Sequence, residues 1–109
     1  MDRTMIKCIE SKNFYDIATK HKYEFKSYKI TAEISHISPL SKSIHVVDSR
    51  NSGISIDKGK GADYDLPATI KVDKHLKSAD LAKFISNLQE AKELADFIEN
   101  NAEFFYKEE

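Results

Sequence analysis

From residue 28 to residue 36 the chain alternates with a period of two: Tyr28, Ile30, Ala32 and Ile34 fall on one side, and Lys29, Thr31, Glu33 and Ser35 on the other. An extended strand with one buried and one wet face separates these two sets cleanly, whereas the angular step of a helix would mix them. Such a strand cannot stand alone. It needs neighbours of the same pattern and a second layer to cover its apolar side.

The neighbours are present. Residues 43–48 and 53–57 read as two further strands, set off by a turn containing Pro39 and by the turn-rich residues 49–52. Pairing Ile34 with Val46, and Val46 with Ile54, gathers Ile30, Ala32, Ile34, Ile44, Val46, Ile54 and Ile56 on one face and leaves His45 and Ser55 outside. After a glycine-containing stretch and Pro67, residues 68–72 add a strand that offers Ile70 and Val72 to the same face. Tyr23 and Phe25 have the opposite parity to Tyr28, so a bulge or turn near Lys26 and Ser27 is required to bring them round. Residues 4–10 alternate as a short edge strand does. In residues 11–21, Phe14, Tyr15, Ile17 and Ala18 have a helix-like spacing after Ser11, which predicts one or two helical turns or a loop.

The covering layer is a helix. Leu81, Ile85, Leu88, Ala91, Ala95 and Ile98 recur at steps of three and four, and Phe84, Leu94 and Phe97 widen the stripe. Ser78 is placed as its N-cap, with Asp80 in the first turn, where a carboxylate meets free amides and the positive end of the dipole. Asn100 and Asn101 predict its end or a bend, and residues 107–109 should fray. The expected fold is α+β: an antiparallel β-meander of four to six strands packed against a long C-terminal helix, one domain over residues 1–109.

Charge and cysteine usage narrow the functional classes. The 17 basic and 18 acidic residues nearly cancel, so no overall field draws the protein onto nucleic acid, and nonspecific nucleic-acid binding is not expected. Cys8 is the one cysteine, which points to the cytoplasm, and no apolar run is long enough to span a bilayer, so no membrane partner is expected. Neither a cofactor nor a metal is implied. The four histidines, His21, His36, His45 and His75, are scattered without a metal-ligand spacing, although His36 and His45 could approach across the Pro39 turn.

A catalytic set is not discernible either. Cys8 would need a base and an orienting group from distant segments, and it reads more simply as a small, semi-buried hydrophobe. No GxSxG elbow occurs, and the carboxylates are spread along the chain. Residues 57–63 form the most suggestive loop, because Gly59 and Gly61 would let backbone approach a ligand while Lys58 and Lys60 contact phosphate. The spacing matches neither a Walker nor a Rossmann loop. Arg50 and Asn51 sit at the tip of the central hairpin, a position from which partners are often contacted. Arg50, Lys58 and Lys60 are therefore the candidate ligand-binding residues. Phe104, Phe105 and Tyr106 are too concentrated to float in water and are the candidate interface, unless they fold back onto the core.

The run from Ser78 to Ala91, carrying Leu81, Phe84, Ile85 and Leu88 after a meander, resembles the sheet-then-helix ending of many small phage and mobile-element proteins. It is similar in outline to phage anti-defence sponges of the anti-Thoeris type, which sequester cyclic nucleotide immune signals. The resemblance covers about the C-terminal third and carries no binding residue onto this chain. It implies a noncatalytic homo-oligomer in the host cytoplasm that holds an anionic nucleotide. The competing expectation is a protein–protein inhibitor or immunity-type module that blocks a nuclease or CRISPR effector.

Overall fold

Short connections fold the first part of the chain back on itself repeatedly. The computed structural model describes residues 5–37 and 40–106; Thr4, Pro39 and residues 107–109, on which three expectations rested, lie outside them. The strands are β1 (Lys7–Phe14), β2 (Ala18–Phe25), β3 (Tyr28–Ser35), β4 (Lys42–Asp48), β5 (Ile54–Lys60) and β6 (Thr69–Val72). They form one antiparallel sheet in sequence order, a meander. A 3-10 turn (Ser78–Asp80) leads into α1 (Leu81–Asn100), and a short α2 (Ala102–Phe105) follows. The fold is thus the α+β arrangement expected from the alternation and the helical stripe.

The face assignment holds residue by residue. Ile30, Ala32, Ile34, Ile44, Val46, Ile54 and Ile56 are all buried beneath the helix layer, while His45 points to solvent. Phe25 pairs directly with Tyr28, so the turn at Lys26 and Ser27 does bring Tyr23 and Phe25 to the core face. Lys26 adopts a positive φ of 51° to close that turn. The register differs from expectation, because Ile30 rather than Ile34 faces Val46, and Val46 faces Ile56 rather than Ile54. Both shifts are by an even number of residues. Burial penalises only odd slips, which exchange the faces, so the hydrophobic pattern cannot distinguish registers of the same parity and the turn lengths decide.

Residues 11–21 are not helical. They complete β1, make a turn through Tyr15, Asp16 and Ile17, and begin β2, with Ile17 N–H donating to the Phe14 carbonyl at 3.0 Å. Phe14 and Ala18, four apart as on a helix face, are instead cross-strand neighbours. A tight hairpin and a helical turn bring the same spacing together, and here the turn conformation of Tyr15, at φ 50°, selects the hairpin.

The helix covers the sheet with a stripe rotated from the expected one. Its buried residues are Phe84, Asn87, Ala91, Leu94, Ala95, Phe97 and Ile98, each large apolar member adding roughly 1.5–3 kcal/mol of burial. Leu81 and Ile85, expected in the core, are 47% and 46% exposed. The helix lies against β5 and β6, at the side of the sheet where the strands run out, so its flank toward β6 has no further strand to cover it. Ser78 does not cap α1; it opens the 3-10 turn, and Asp80 holds the N-cap position without a side-chain hydrogen bond.

At the other end Asn101 stops the helix, though not through the left-handed conformation: its φ is −137° and its side-chain amide donates to the Phe97 carbonyl at 3.1 Å. The chain then turns back. Phe105 is wholly buried and Tyr106 nearly so, and Phe104 packs against the same cluster. The candidate interface residues Phe104, Phe105 and Tyr106 therefore belong to the chain's own core, where the Phe104 and Phe105 rings meet Tyr23 and Phe97 and Lys42 Nζ lies over the Tyr106 ring, 5.6 Å from its centroid. The short α2 is what returns them.

One glycine is required by the backbone. Gly53, between the β4–β5 turn and β5, has φ 78°, and a Cβ there would lie 2.7 Å from Lys74 Cβ and 2.8 Å from the Asp73 carbonyl oxygen. Its carbonyl also accepts from Asp73 N–H at 2.8 Å, which anchors the end of β6. Gly53→Ala is expected to lower stability by about 2 kcal/mol, read as a lower urea midpoint at unchanged slope.

Candidate ligand-binding cleft

The β4–β5 connection is held from within by a carboxylate. Asp48, the last residue of β4, is buried, and it accepts from Arg50 N–H at 3.0 Å, Arg50 Nε at 2.9 Å, Arg50 Nη2 at 3.0 Å and the Ser52 hydroxyl at 2.6 Å. Burial pushes the Asp48 carboxyl up, but the hydrogen bonds from Arg50 and Ser52 outweigh it and hold it below the ordinary carboxylate range. Arg50 is correspondingly held protonated, first by Asp48 and then by Glu90, which its Nη1 reaches at 3.2 Å. The guanidinium also lies over the Tyr28 ring, 5.2 Å from the centroid. Tyr28 in turn donates its hydroxyl to the Asn87 carbonyl on α1 at 2.6 Å. One chain of contacts therefore ties hairpin, sheet and helix together.

Between the hairpin and the first turns of α1 lies a cleft of about 230 Å³ lined by Arg50, Ser52, Lys74, Leu76, Asp80, Lys83, Phe84 and Asn87. Lys74 donates to the Asn51 carbonyl at 3.2 Å, a contact that leaves its charge uncancelled. Lys83 is exposed. Arg50 is paired with Asp48 and with Glu90, which Lys26 also reaches, so among the lining side chains Lys74 and Lys83 outnumber the one carboxylate, Asp80. Asn87 is 8% exposed, and its carboxamide has no hydrogen-bond partner among the described residues. Its polar atoms are open to the cleft, where they can donate to and accept from a bound group.

The sequence-predicted site residues are not brought together. Arg50 precedes β5, whereas Lys58 and Lys60 lie in its second half, and the strand separates its two ends by roughly 20 Å. Residues 57–60 are strand rather than loop. The Lys58 side chain is buried, donating to Asp65 at 2.6 Å and to the Leu66 carbonyl at 2.7 Å, which occupies the ammonium structurally. That hydrogen bond holds the Asp65 carboxyl below its usual range. Lys60 is the cross-strand neighbour of Lys42, and its backbone forms an isolated antiparallel β-bridge with that of Asp65. Gly61 serves the turn, since a Cβ there would fall 2.3 Å from the Tyr64 ring. Of the three candidates, Arg50 alone lines the cleft.

Sequence reasoning missed Lys74, Lys83 and Asn87. Asn87 had a signal: it falls three residues after Phe84 and four before Ala91, a polar side chain in phase with the buried stripe. Lys74 and Lys83 are brought near it only by the fold.

Other chemistry-bearing groups lie elsewhere. Cys8 is exposed rather than semi-buried; its Sγ is 3.6 Å from Ser11 Oγ, which lies 2.8 Å from His21 Nδ1, so thiol and imidazole are linked through a hydroxyl. His45 pairs with Asp57 at 2.6 Å on the solvent face, while His36 bonds Thr19, so those two histidines do not form a common site. Among the described residues no group of three metal-ligating side chains occurs and no helix is long and apolar enough to cross a membrane. The solvent face of the sheet is laced with ion pairs such as Lys20–Glu33 and Lys22–Glu10, each worth about 0–1 kcal/mol. Compared with protein-family models, curated proteins and solved structures, the chain finds no match in any of the three.

Proposed function

We propose that this chain is a noncatalytic binding protein that holds a small anionic ligand of nucleotide type in the cleft between the β4–β5 hairpin and α1. The observation that carries this reading is the Asn87 carboxamide, which has no protein hydrogen-bond partner among the described residues, in a cleft whose lining lysines outnumber its one carboxylate. A carboxamide offers a donor and an acceptor to a base edge, lysine ammonium groups suit phosphate, and Phe84 with Leu76 provides apolar walls. Its one hydroxyl, on Ser52, is committed to the Asp48 carboxylate, and no histidine or thiol lines it, so these groups bind rather than attack. At about 230 Å³ the cleft is smaller than a typical pocket for a whole drug-sized molecule and takes a phosphate and part of a base. Sequestration of a nucleotide signal, as in phage anti-defence sponges, is the activity that such a holding site performs.

Titration calorimetry with nucleoside monophosphates, cyclic mononucleotides and cyclic dinucleotides tests it. At least one is expected to bind wild type, and Lys83→Glu is expected to weaken that binding by about tenfold or more at low salt, with the circular dichroism unchanged. Absence of heat with every probe, or equal binding by Lys83→Glu, would overturn the assignment.

A further inference from the structure

We propose that two copies of this chain associate edge to edge through β6, antiparallel, with Ile70 opposite the partner subunit's Ile70, forming one continuous sheet. The two terminal strands differ in how they meet water. β1 is protected: its register shifts between Cys8 and Glu10, and it carries Lys7, Glu10 and Lys12. β6 has no such shift in its pairing and borders an open apolar groove of about 470 Å³ lined by Ile70, Val72, Ile85, Leu88, Gln89 and Lys92. Val72 and Ile85 are each nearly half exposed there.

The backbone defines what can cover this edge. Asp73 N–H donates to Gly53, so residues of that parity, Lys71 and Thr69 included, direct their amides toward β5. The N–H and C=O groups of Ile70 and Val72 consequently point outward from the sheet, toward an added strand. Side-chain parity then restricts the register, since Ile70 and Val72 must stay on the groove face. Setting Ile70 opposite Val72 would place Lys71 against its own copy at the two-fold axis, a like-charge contact. Setting Ile70 opposite itself places Lys71 against Thr69 and Val72 against Ala68, while all the outward groups remain in hydrogen-bonding positions. Pro67, which has no N–H, lies before β6, where Leu66 N–H already donates to the Gly59 carbonyl at 2.9 Å, so it takes no donor from Ala68, Ile70 or Val72 at the seam.

A second copy meets these demands because it brings the same groove with the same strand. α1 lies against β5 and β6, so both helices would flank the seam on one face, and Ile85 and Leu88 from each would close over it. The groove shares no lining residue with the ligand cleft, so the association stands independently of the cleft's function.

Sedimentation equilibrium of the full chain is expected to give a mass twice the 12.5 kDa subunit. Ile85→Lys, an exposed helix position where lysine is tolerated, should raise the dimer Kd by about tenfold or more without loss of helicity. The register is read by oxidation in a Cys8→Ser background: Thr69→Cys with Lys71→Cys should cross-link two chains, and Lys71→Cys alone should not. A monomeric wild type at about 100 µM, well above a Kd in the low micromolar range, would overturn the proposal. So would a dimer indifferent to Ile85→Lys, or efficient cross-linking by Lys71→Cys alone.

Discussion

Phe105→Ala is expected to lower the unfolding free energy by about 3–5 kcal/mol, one of the two largest single-residue effects we anticipate. Phe105 is fully buried, with its ring 5.1 Å from Tyr23 edge-on, 5.1 Å from Phe104 and 6.0 Å from Phe97. Removing it deletes both the transfer energy of a phenyl ring and the contacts of its neighbours. Relaxation around the site is limited, because the Asn101 cap and the Phe104 N–H bond to the Asn101 carbonyl at 3.0 Å fix the turn that places it. Urea denaturation should show a lower midpoint at unchanged slope, with Phe104→Ala, which is only partly buried, costing less. The same measurement separates the two roles an aromatic terminus can have. If Phe105→Ala left monomer stability within about 1 kcal/mol of wild type and changed only self-association, the aromatic cluster would be an interface and not core.

That ambiguity shows where a sequence loses legibility. The face of every central strand residue could be read from alternation, because putting Ile34 or Val46 into water is costly whatever the rest of the chain does. The register could not, because sliding β4 past β3 by two residues leaves every face unchanged. The rotation of α1 was legible only to within one residue step. Leu81 and Ile85 fit the stripe as well as Phe84 and Asn87 do, and the choice between them was made by where the sheet ends.

The cleft was less legible still. Arg50 could be singled out from its place at a hairpin tip, but Lys58 was assigned to the same task by glycine neighbours that turned out to lie in or just after a strand. A lysine whose ammonium is sealed under Asp65 and a backbone carbonyl looks in sequence like one reaching for phosphate. Lys74, Lys83 and Asn87 come from the β6–α1 connection and two turns of a helix, and their convergence is a tertiary property with no spacing to betray it. Asn87 was the exception, since a carboxamide in the middle of a buried stripe is out of place unless something pairs with it.

The second large effect is Arg50→Ala, which should cost about 3 kcal/mol at pH 7, the low end of what breaking a buried ion pair costs. Asp48 has no side-chain exposure, whereas Arg50 retains 30%, so water can enter the vacated space and partly solvate the carboxylate. The pH dependence identifies the cause. In wild type the folded Asp48 pKa lies below its ordinary value, so its contribution is fully present above about pH 4 and is lost as pH falls through the depressed folded value. Without the guanidinium, burial still pushes the carboxyl up, opposed by the Ser52 hydroxyl and by the residue-50 backbone N–H that Ala keeps, so the folded pKa moves up from its wild-type position. The stability that ionised Asp48 contributes above about pH 4 is then smaller than in wild type, and the difference disappears once the carboxyl is protonated in both. The gap between variant and wild type should therefore be widest at neutral pH and narrow toward pH 3, measured by urea unfolding across that range. A gap that stayed constant with pH would assign the loss to the packing of the guanidinium on Tyr28 rather than to the charge it neutralises.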